Sequence, residues 1–214
     1  LHVAGVKALD KNGVPTDEPA VSLEDLKTFR QLGSRCAGHP EYGHVTGVEM
    51  TTGPLGAGVA TSVGFAMANN WLAARYNRPG YELFNSNVYT LCGDGCMMEG
   101  ISSEAASLAG NLKLSNLCWI YDRNFITIEG STDLAFTEDV AARFAAYNWN
   151  VISVDDVNDL PALRKALDEF EATKDRPTLI IVQSRIAFGA PNKEGTADAH
   201  GAPLGDEEIA ATKK

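Results

Sequence analysis

A carboxylate and a side-chain amide each follow a short apolar run of the chain. Asp94 stands between two glycines just after the run 88–92, and Asn124 comes shortly after the run 117–121. Magnesium prefers hard oxygen ligands of these kinds and usually shares them with phosphate oxygens and water. The two residues therefore predict a magnesium site that also holds a phosphate group, provided that the fold brings them together.

The segments around these two residues predict that they meet. Both runs are short, apolar and rich in residues that favour strands, so they predict buried strands. The segment between them ends at Asn116 and has apolar residues at helical spacing, namely Ile101, Ala105, Leu108 and Leu112. A strand–helix–strand unit makes its strands parallel and usually adjacent. Asp94 and Asn124 are then expected at the same carboxyl edge of the sheet, where open α/β folds bind ligands.

Backbone groups beside the two residues could complete this site. Gly95 lets a phosphate approach the backbone closely, near N–H groups at the start of the following helix. A carbonyl oxygen in the dipeptide 125–126 could give a third metal ligand. The alternative interpretation is that Asp94 only caps a helix and that Asn124 only makes a turn.

The rest of the chain alternates helix and strand patterns. The predicted elements are helices at 23–32, 54–76, 137–147 and 160–172, strands at 151–154 and 178–183, an extended piece at 126–128, an irregular stretch at 1–21, and long loops at 33–53 and 185–205. The nearly continuous apolar strands predict an α/β fold, with a parallel sheet and helices on both of its faces. The 214 residues are expected to form one domain, 1–214.

The composition narrows the classes of partner. A net charge of −10 and a pI near 4.8 argue against nucleic acid and anionic membrane. No apolar stretch approaches the roughly 20 residues of a membrane span, and the first residues lack a signal-peptide core. An acidic protein that binds a polyanionic cofactor needs a local cation, which agrees with the magnesium hypothesis. The 4 cysteines form no Cys-x-x-Cys pair, so reduced thiols and a cytoplasmic location are expected.

Four other features carry possible chemistry. His39 and His200 lie in the long loops, where an imidazole could donate to a substrate oxygen or could simply be a solvated surface group. Residues 53–55 precede a long helix and could either wall a flat cofactor ring or merely begin that helix. Glu99 is expected in the first turn of its helix, where it could serve a proton network or only complement the helix dipole.

Four stretches together resemble one protein family. The stretch CGDGCMMEGISSEA at 92–105 resembles the thiamine-diphosphate motif of transketolases. The stretches at 32–41, 49–56 and 199–205 resemble the same family in the same order, and matching runs cover nearly all of residues 22–210. Deoxyxylulose-phosphate synthases and the thiamine-dependent components of pyruvate dehydrogenase share only the Gly-Asp-Gly and Asn core. Dihydroxyacetone synthase, in contrast, is not separated from transketolase by these motifs.

The resemblance implies a thiamine-diphosphate-binding fold and assigns the metal and diphosphate ligands. It implies that Asp94, Asn124 and the Ile126 carbonyl hold a divalent metal, Mg²⁺ or Ca²⁺. It also implies that Gly95, Asn124 and His200 contact the diphosphate of thiamine diphosphate.

The resemblance assigns further roles to the remaining candidates. Gly53, Pro54 and Leu55 would contact the rings of the cofactor. His39 would bind oxygens of the sugar substrate, with His200 nearby as a second catalytic histidine. Glu99 would lie at a dimer interface, linked to the glutamate that activates the aminopyrimidine.

The resemblance also implies an activity. Transketolases transfer a two-carbon ketol unit from a ketose phosphate to an aldose phosphate in the pentose phosphate pathway, and they act as homodimers that share active sites between subunits. We therefore expect an amino-terminal segment before this chain and pyrimidine-binding and carboxy-terminal domains after it, so that the isolated chain is inactive. The chain departs from the family at Arg123, where an acidic or amide residue is usual, and at an inserted residue near His44.

Two other interpretations stay open at this stage, and a third is disfavoured. The chain could be a non-catalytic module that keeps the fold, or one subunit of a split transketolase. A nucleotide-binding dehydrogenase domain is disfavoured, because Met98 stands where its motif requires a third glycine.

Overall fold

The computed structural model describes residues 1–214, which form two compact units, Leu1–Gly58 and Val59–Lys214. The strands are β1 (Lys7–Leu9), β2 (Pro15–Pro19), β3 (Val88–Gly93), β4 (Leu117–Arg123), β5 (Asn150–Val154) and β6 (Thr178–Gln183). The α-helices are α1 (Leu23–Lys27), α2 (Ala57–Tyr76), α3 (Asp94–Met98), α4 (Gly100–Asn111), α5 (Val140–Ala146), α6 (Leu160–Ala172) and α7 (Asp206–Thr212). The single domain expected from the sequence stays a prediction.

The second unit is built on a four-stranded parallel sheet with the strand order β3-β4-β6-β5. The predicted β3–helix–β4 crossover is confirmed, and the two strands are neighbours. In their register, Cys92 lies opposite Tyr121 and Gly93 lies opposite Asp122. Both strands therefore end at the same edge of the sheet, immediately before the residues in which we predicted a metal site.

Helices cover both faces of this sheet, as predicted. On one face, Trp119 packs against Phe144 and Trp149 of the α5 region, and the ring centroids are 5.7 and 4.8 Å apart. The buried indole N–H of Trp119 donates to the Ser62 hydroxyl of α2 at 2.9 Å. On the other face, Phe170 of α6 joins a second core with the alternate residues of the strands. The fold is therefore the α/β class expected from the sequence.

The first unit differs from the sequence prediction, because part of residues 1–21 is regular. β1 and β2 form an antiparallel hairpin, and the Asp10 carboxylate accepts the N–H groups of Asn12 and Val14 in the turn. Asp10 is thus a residue type that favours turns, but the residues around it show no apolar periodicity that would indicate two strands. A capping box formed by Ser22 and Asp25 begins α1, but the helix is shorter than predicted. The chain leaves helical geometry soon after, with Arg30 at a φ of 62°.

Several helix boundaries also differ from those predicted. α2 begins at Ala57, after Gly56 adopts a φ of 83°, rather than at Pro54. α5 begins at Val140 because the Asp139 carboxylate, and not Thr137, caps it. The extended piece at 126–128 is reduced to one bridge, and α7 was not predicted.

The apolar stripe predicted for the crossover helix is wrong. Of its residues only Ala105 is buried, while Ile101, Leu108 and Leu112 are each more than 40% exposed. The face that packs on the sheet consists of small residues, including Ser102, Ala106 and Ala109. Small side chains bring the helix close to the sheet, and its larger ones form an unpartnered apolar surface on the other side.

The thiols agree with the prediction of reduced cysteines, since all four are free. Cys92 and Cys118 are buried in the strands, and burial raises the pKa of Cys118 to about 12. None of the helices combines the length and the apolar character needed to cross a membrane.

Gly110 marks the tightest approach between α4 and the α5–β5 connection. A Cβ added there would lie 1.8 Å from the Tyr147 carbonyl oxygen, which is backbone and cannot rotate away. We expect Gly110→Ala to lower the free energy of unfolding by about 3 kcal/mol or more in urea titrations. The control is Gly64→Ala in α2, where an added methyl meets no atom within 4 Å and should stabilise by about 0.5–1 kcal/mol. Equal stabilities of the two variants would contradict this packing.

Candidate cofactor-binding site

The site centres on the carboxylate of Asp94, the first residue after β3. Asp94 is only 3% exposed, so its charge needs donors within the protein. The Tyr121 hydroxyl donates to Oδ1 at 2.6 Å. The backbone N–H groups of Asn124 and Phe125 donate to Oδ2 at 3.1 and 3.0 Å. The ends of β3 and β4 are thus joined through one carboxylate.

The loop after β4 is shaped to aim both N–H groups at the same oxygen. Phe125 has a φ of 62°, in the left-handed region that non-glycine residues rarely adopt. The Asn124 side-chain oxygen accepts the N–H of Ile126 at 3.0 Å, which forms a local turn. The Phe125 carbonyl accepts the N–H of Thr132 at 3.0 Å and holds the far side of the loop. The turn interpretation of Asn124 is therefore observed, and its amide oxygen keeps a second lone pair.

Tyr121 stays protonated in this setting and acts as a donor. Burial raises its pKa well above the ordinary value for tyrosine, and the hydrogen bond to Asp94 acts in the same direction. Its ring is 1% exposed and lies in the core beside the sheet. The hydroxyl is therefore held firmly against the carboxylate.

The residues present fit a magnesium–phosphate site in their chemistry. Asp94 offers a charged oxygen and Asn124 a neutral one, and the backbone continues into Ile126. The chain has no group of three or more His, Cys, Asp or Glu side chains that could hold a metal by themselves. A cation beside Asp94 would therefore take most of its oxygens from a bound ligand and water, which is usual for Mg²⁺. The assignment of Asp94, Asn124 and Ile126 as ligands stays a prediction.

A cavity of about 430 Å³ opens beside the carboxylate. Its walls include Asp94, Tyr121, Arg123, Thr132 and Ser153, so polar groups reach it from the ends of several strands. The Arg123 guanidinium lies 4.6 Å from the centroid of the Phe125 ring. Arg123, the departure from the family pattern, thus stacks on the loop that binds Asp94.

Gly95 and Glu99 lie on the two short helices that follow. Gly95 is in the first turn of α3, directly after Asp94, so its backbone is placed at the sheet edge as predicted. Glu99 was expected in the first turn of one long helix, and this is wrong, because the segment breaks into α3 and α4. Glu99 is the exposed N-cap residue of α4, and its side chain makes no capping hydrogen bond.

His200 is exposed at the end of a 3₁₀ turn, Ala197–Ala199, in the loop after β6. The loop is held by the buried carboxylate of Glu208 in α7. Glu208 accepts the side-chain N–H of Asn192 at 2.9 Å and the backbone N–H groups of Asn192 and Lys193 at 2.7 and 3.2 Å. These bonds close the segment that carries His200.

The same hydrogen bonds control the charge of Glu208. The side chain of Asn192, then its backbone N–H, lower the pKa of the Glu208 carboxyl below its ordinary value. A carboxyl group whose pKa is lowered by folding stabilises the folded state at pH values above the ordinary carboxyl pKa. This stabilisation is lost as the pH falls through the lowered pKa of the folded state. The hydrogen bonds to ionised Glu208 therefore stabilise the loop fully at neutral pH.

In the first unit, His39 lies against the turn that was predicted to wall a cofactor ring. A Cβ added to Gly53 would lie 2.9 Å from Nδ1 of His39 and 3.3 Å from its Cβ, so glycine is required for this approach. Pro54 is exposed, and Leu55 is 54% exposed and free to contact a ligand. The structure thus brings His39 close to Gly53, the first residue of this turn.

Three residues that support the site in the second unit were not predicted from the sequence. Tyr121 was treated as part of a buried strand, although parallel pairing with β3 puts the end of β4 beside Asp94. Arg143 of α5 donates to the Met97 carbonyl at 3.0 Å and so stabilises the position of α3. No local sequence pattern predicts this contact. Glu208 had no signal, because an acid in the first turn of a helix usually complements the dipole.

The fold and site match a known family. The family described as the thiamine diphosphate binding domain of transketolase matches residues 19–214. The transketolase of Geobacillus stearothermophilus is 56% identical over 194 residues, 91% of this chain and 29% of that protein. Transketolase 1 of Escherichia coli is 52% identical over 192 residues, which cover 90% of this chain and 29% of that protein.

Solved structures agree with the sequence relatives. Transketolase from Leishmania mexicana superposes with a TM-score of 0.87 at 51% identity, over 90% of this chain and 29% of that one. A Pichia stipitis transketolase in complex with sedoheptulose-7-phosphate superposes with a TM-score of 0.87 at 48% identity. The match covers 90% of this chain and 28% of that one.

The class of protein is thus a thiamine-diphosphate-binding α/β domain. The chain belongs to the transketolase family, as its sequence motifs indicated, and spans about 29% of the length of these relatives.

Gly53→Ala tests the placement of His39. The added methyl group cannot coexist with the imidazole in its present position, so the ring must move. We expect the ¹³C–¹H NMR resonances of the His39 ring to shift clearly in this variant. Gly100→Ala, whose added methyl meets no atom within 4 Å, should leave them unchanged. Unshifted His39 resonances in Gly53→Ala would contradict the contact.

Glu208→Ala tests the closure of the His200 loop. The N–H groups of Asn192 and Lys193 lose their acceptor, so hydrogen–deuterium exchange measured by mass spectrometry should accelerate there by about tenfold or more. Glu207→Ala removes a neighbouring exposed acid from the same helix and should leave the exchange rate as it is. Equal exchange in the two variants would show that Glu208 does not hold the loop.

Proposed function

We propose that this chain supplies the diphosphate and metal site of a transketolase that binds thiamine diphosphate with a divalent metal, Mg²⁺ or Ca²⁺. The observation that supports the proposal is the oriented carboxylate of Asp94 at the carboxyl edge of a parallel sheet, directly before the Asn124 loop. Membership in the family supports the identity of the cofactor.

In this proposal Asp94, the Asn124 side chain and the Ile126 carbonyl hold the cation. The N–H of Gly95, the Asn124 amide and His200 contact the diphosphate, so that positive partial charges face the anion. The protein has a net charge of −10, and the bound cation offsets the repulsion of a further polyanion. Gly53, Pro54 and Leu55 contact the rings of the cofactor through exposed backbone and apolar surface.

The cofactor, when bound, supplies the electron sink for breaking and forming a carbon–carbon bond. The contribution of this chain is to hold the diphosphate end rigidly and to present imidazoles to the substrate. His39 and His200 donate to substrate oxygens. Both are exposed, and each lies on a loop fixed by a specific contact, Gly53 for His39 and Glu208 for the other loop.

The substrates in this proposal are sugar phosphates, between which a two-carbon ketol unit passes. Related structures are described in complex with sedoheptulose-7-phosphate and with fructose-6-phosphate, which supports this class. The setting is the pentose phosphate pathway in the cytoplasm. Because the chain covers about 29% of its relatives, the activity is proposed for the complete protein and not for this chain alone.

We further propose that the complete protein is a homodimer with active sites shared between subunits. The exposed apolar side chains Ile101 and Leu108 of α4, and Leu112 directly after the helix, support a role of this surface in assembly. Glu99 at the exposed start of the same helix then lies at the interface, where it links to the glutamate that activates the aminopyrimidine.

Asp94→Asn in the complete protein tests the proposal. The amide keeps the shape of the carboxylate and removes its charge, so the magnesium-dependent affinity for thiamine diphosphate should fall by about 100-fold or more in isothermal titration calorimetry. The matched control is Asp122→Asn. Asp122 lies at the same strand ends but on the opposite face, where the Ser184 hydroxyl donates to it.

The control variant should bind the cofactor as the unmodified protein does. Near-normal affinity in Asp94→Asn would refute the metal assignment. Absence of cofactor binding in the unmodified protein would favour a non-catalytic module, whereas activity only after addition of a second polypeptide would favour a split enzyme.

A further inference from the structure

The Tyr121 hydroxyl has no assigned role, yet it is the only side-chain donor to the Asp94 carboxylate. We propose that Tyr121 is a positioning residue that fixes the orientation of Asp94 and thereby favours Mg²⁺ over Ca²⁺ at this site. The inference rests on the proposed function, because it takes Asp94 to be a metal ligand.

The lone pairs of the Asp94 carboxylate limit the directions in which it can bind a cation. Two oxygens offer about four acceptor positions in the plane of the group. The N–H groups of Asn124 and Phe125 take up Oδ2, at 3.1 and 3.0 Å. The Tyr121 hydroxyl takes one position on Oδ1, at 2.6 Å. The position that remains free is on Oδ1, so the carboxylate can offer a cation one oxygen in one direction.

Tyr121 is the donor that fixes this direction. The two backbone groups bind Oδ2 only, through hydrogen bonds of 3.1 and 3.0 Å that still allow the carboxylate to rotate through a limited angle about its Cβ–Cγ bond. The hydroxyl holds the other oxygen. Its own position is rigid, because the Tyr121 ring is 1% exposed and packed in the core, and because β4 is paired on both sides.

A single fixed oxygen suits one of the two cations better. Mg²⁺ requires nearly ideal octahedral geometry at about 2.0–2.1 Å, whereas Ca²⁺ accepts six to eight ligands at variable angles and often binds both oxygens of a carboxylate. Fixing Asp94 in advance therefore lowers the cost of binding Mg²⁺ more than that of binding Ca²⁺. Without the hydroxyl, the carboxylate would move more freely, and Ca²⁺ would tolerate this motion.

The competing explanation is that the hydrogen bond only satisfies a buried hydroxyl and stabilises the fold. Loss of fold stability alone would weaken the binding of both cations by the same factor. The ratio of the two affinities therefore separates a positioning role from a structural one.

The test titrates Mg²⁺ and Ca²⁺ separately into metal-free complete protein at a fixed concentration of thiamine diphosphate, by isothermal titration calorimetry. In Tyr121→Phe we expect the affinity for Mg²⁺ to fall by about tenfold or more and that for Ca²⁺ by less than about threefold. The control is Tyr89→Phe, which removes a hydroxyl on the other face of the sheet, from a tyrosine that packs on Phe170. It should change neither affinity.

Equal losses for the two cations, or no loss, in Tyr121→Phe would overturn the proposal. If the Asp94→Asn variant binds the metal as tightly as the unmodified protein does, the proposed function is overturned instead, and this inference with it. A second measurement does not depend on a stable variant: the hydroxyl proton of Tyr121 should remain bonded and visible by NMR after Mg²⁺ is added to the unmodified protein. Its disappearance on saturation with Mg²⁺ would also overturn the proposal.

Discussion

The burial of one carboxylate organises the functional edge of this domain. A charge that is 3% exposed requires hydrogen-bond donors, and Asp94 obtains them from a strand residue and from two backbone groups of the following loop. The same bonds fix the loop that carries Asn124 and Ile126. The hydrogen bonds that orient this carboxylate are therefore part of the fold itself.

The rest of the second unit positions that carboxylate. Parallel pairing brings the ends of β3 and β4 together, and the small residues of α4 let the crossover helix lie close to the sheet. The Trp119–Phe144–Trp149 cluster supports the strands from one face. Arg143 braces α3, which begins at Asp94, by donating to its last turn. Precise placement of the carboxylate thus comes from rigid elements and their packing.

The parts of this arrangement that follow from local rules could be predicted from the sequence. Asp94 and Asn124 meet because two apolar runs separated by one helix form a crossover, and the parallel sheet follows from the same alternation. Tyr121 could not be recognised as a donor, because an apolar run does not show which residue ends beside a buried acid. The buried face of α4 was predicted wrongly, because its larger apolar side chains were expected to pack on the sheet and its small ones pack there instead. Glu208 bonds to residues 16 positions away, and no spacing rule predicts such a contact.

In the proposed function, Asp94 and Asn124 together hold a divalent metal on the diphosphate of the cofactor. The most direct measurement is anomalous diffraction from crystals of the complete protein grown with thiamine diphosphate and Mn²⁺ in place of Mg²⁺. We expect an anomalous peak about 2.0–2.3 Å from one Asp94 oxygen and from the Asn124 side-chain oxygen, with the hydrogen bond from Tyr121 to Asp94 retained. A peak away from these two residues, with cofactor bound, would contradict it.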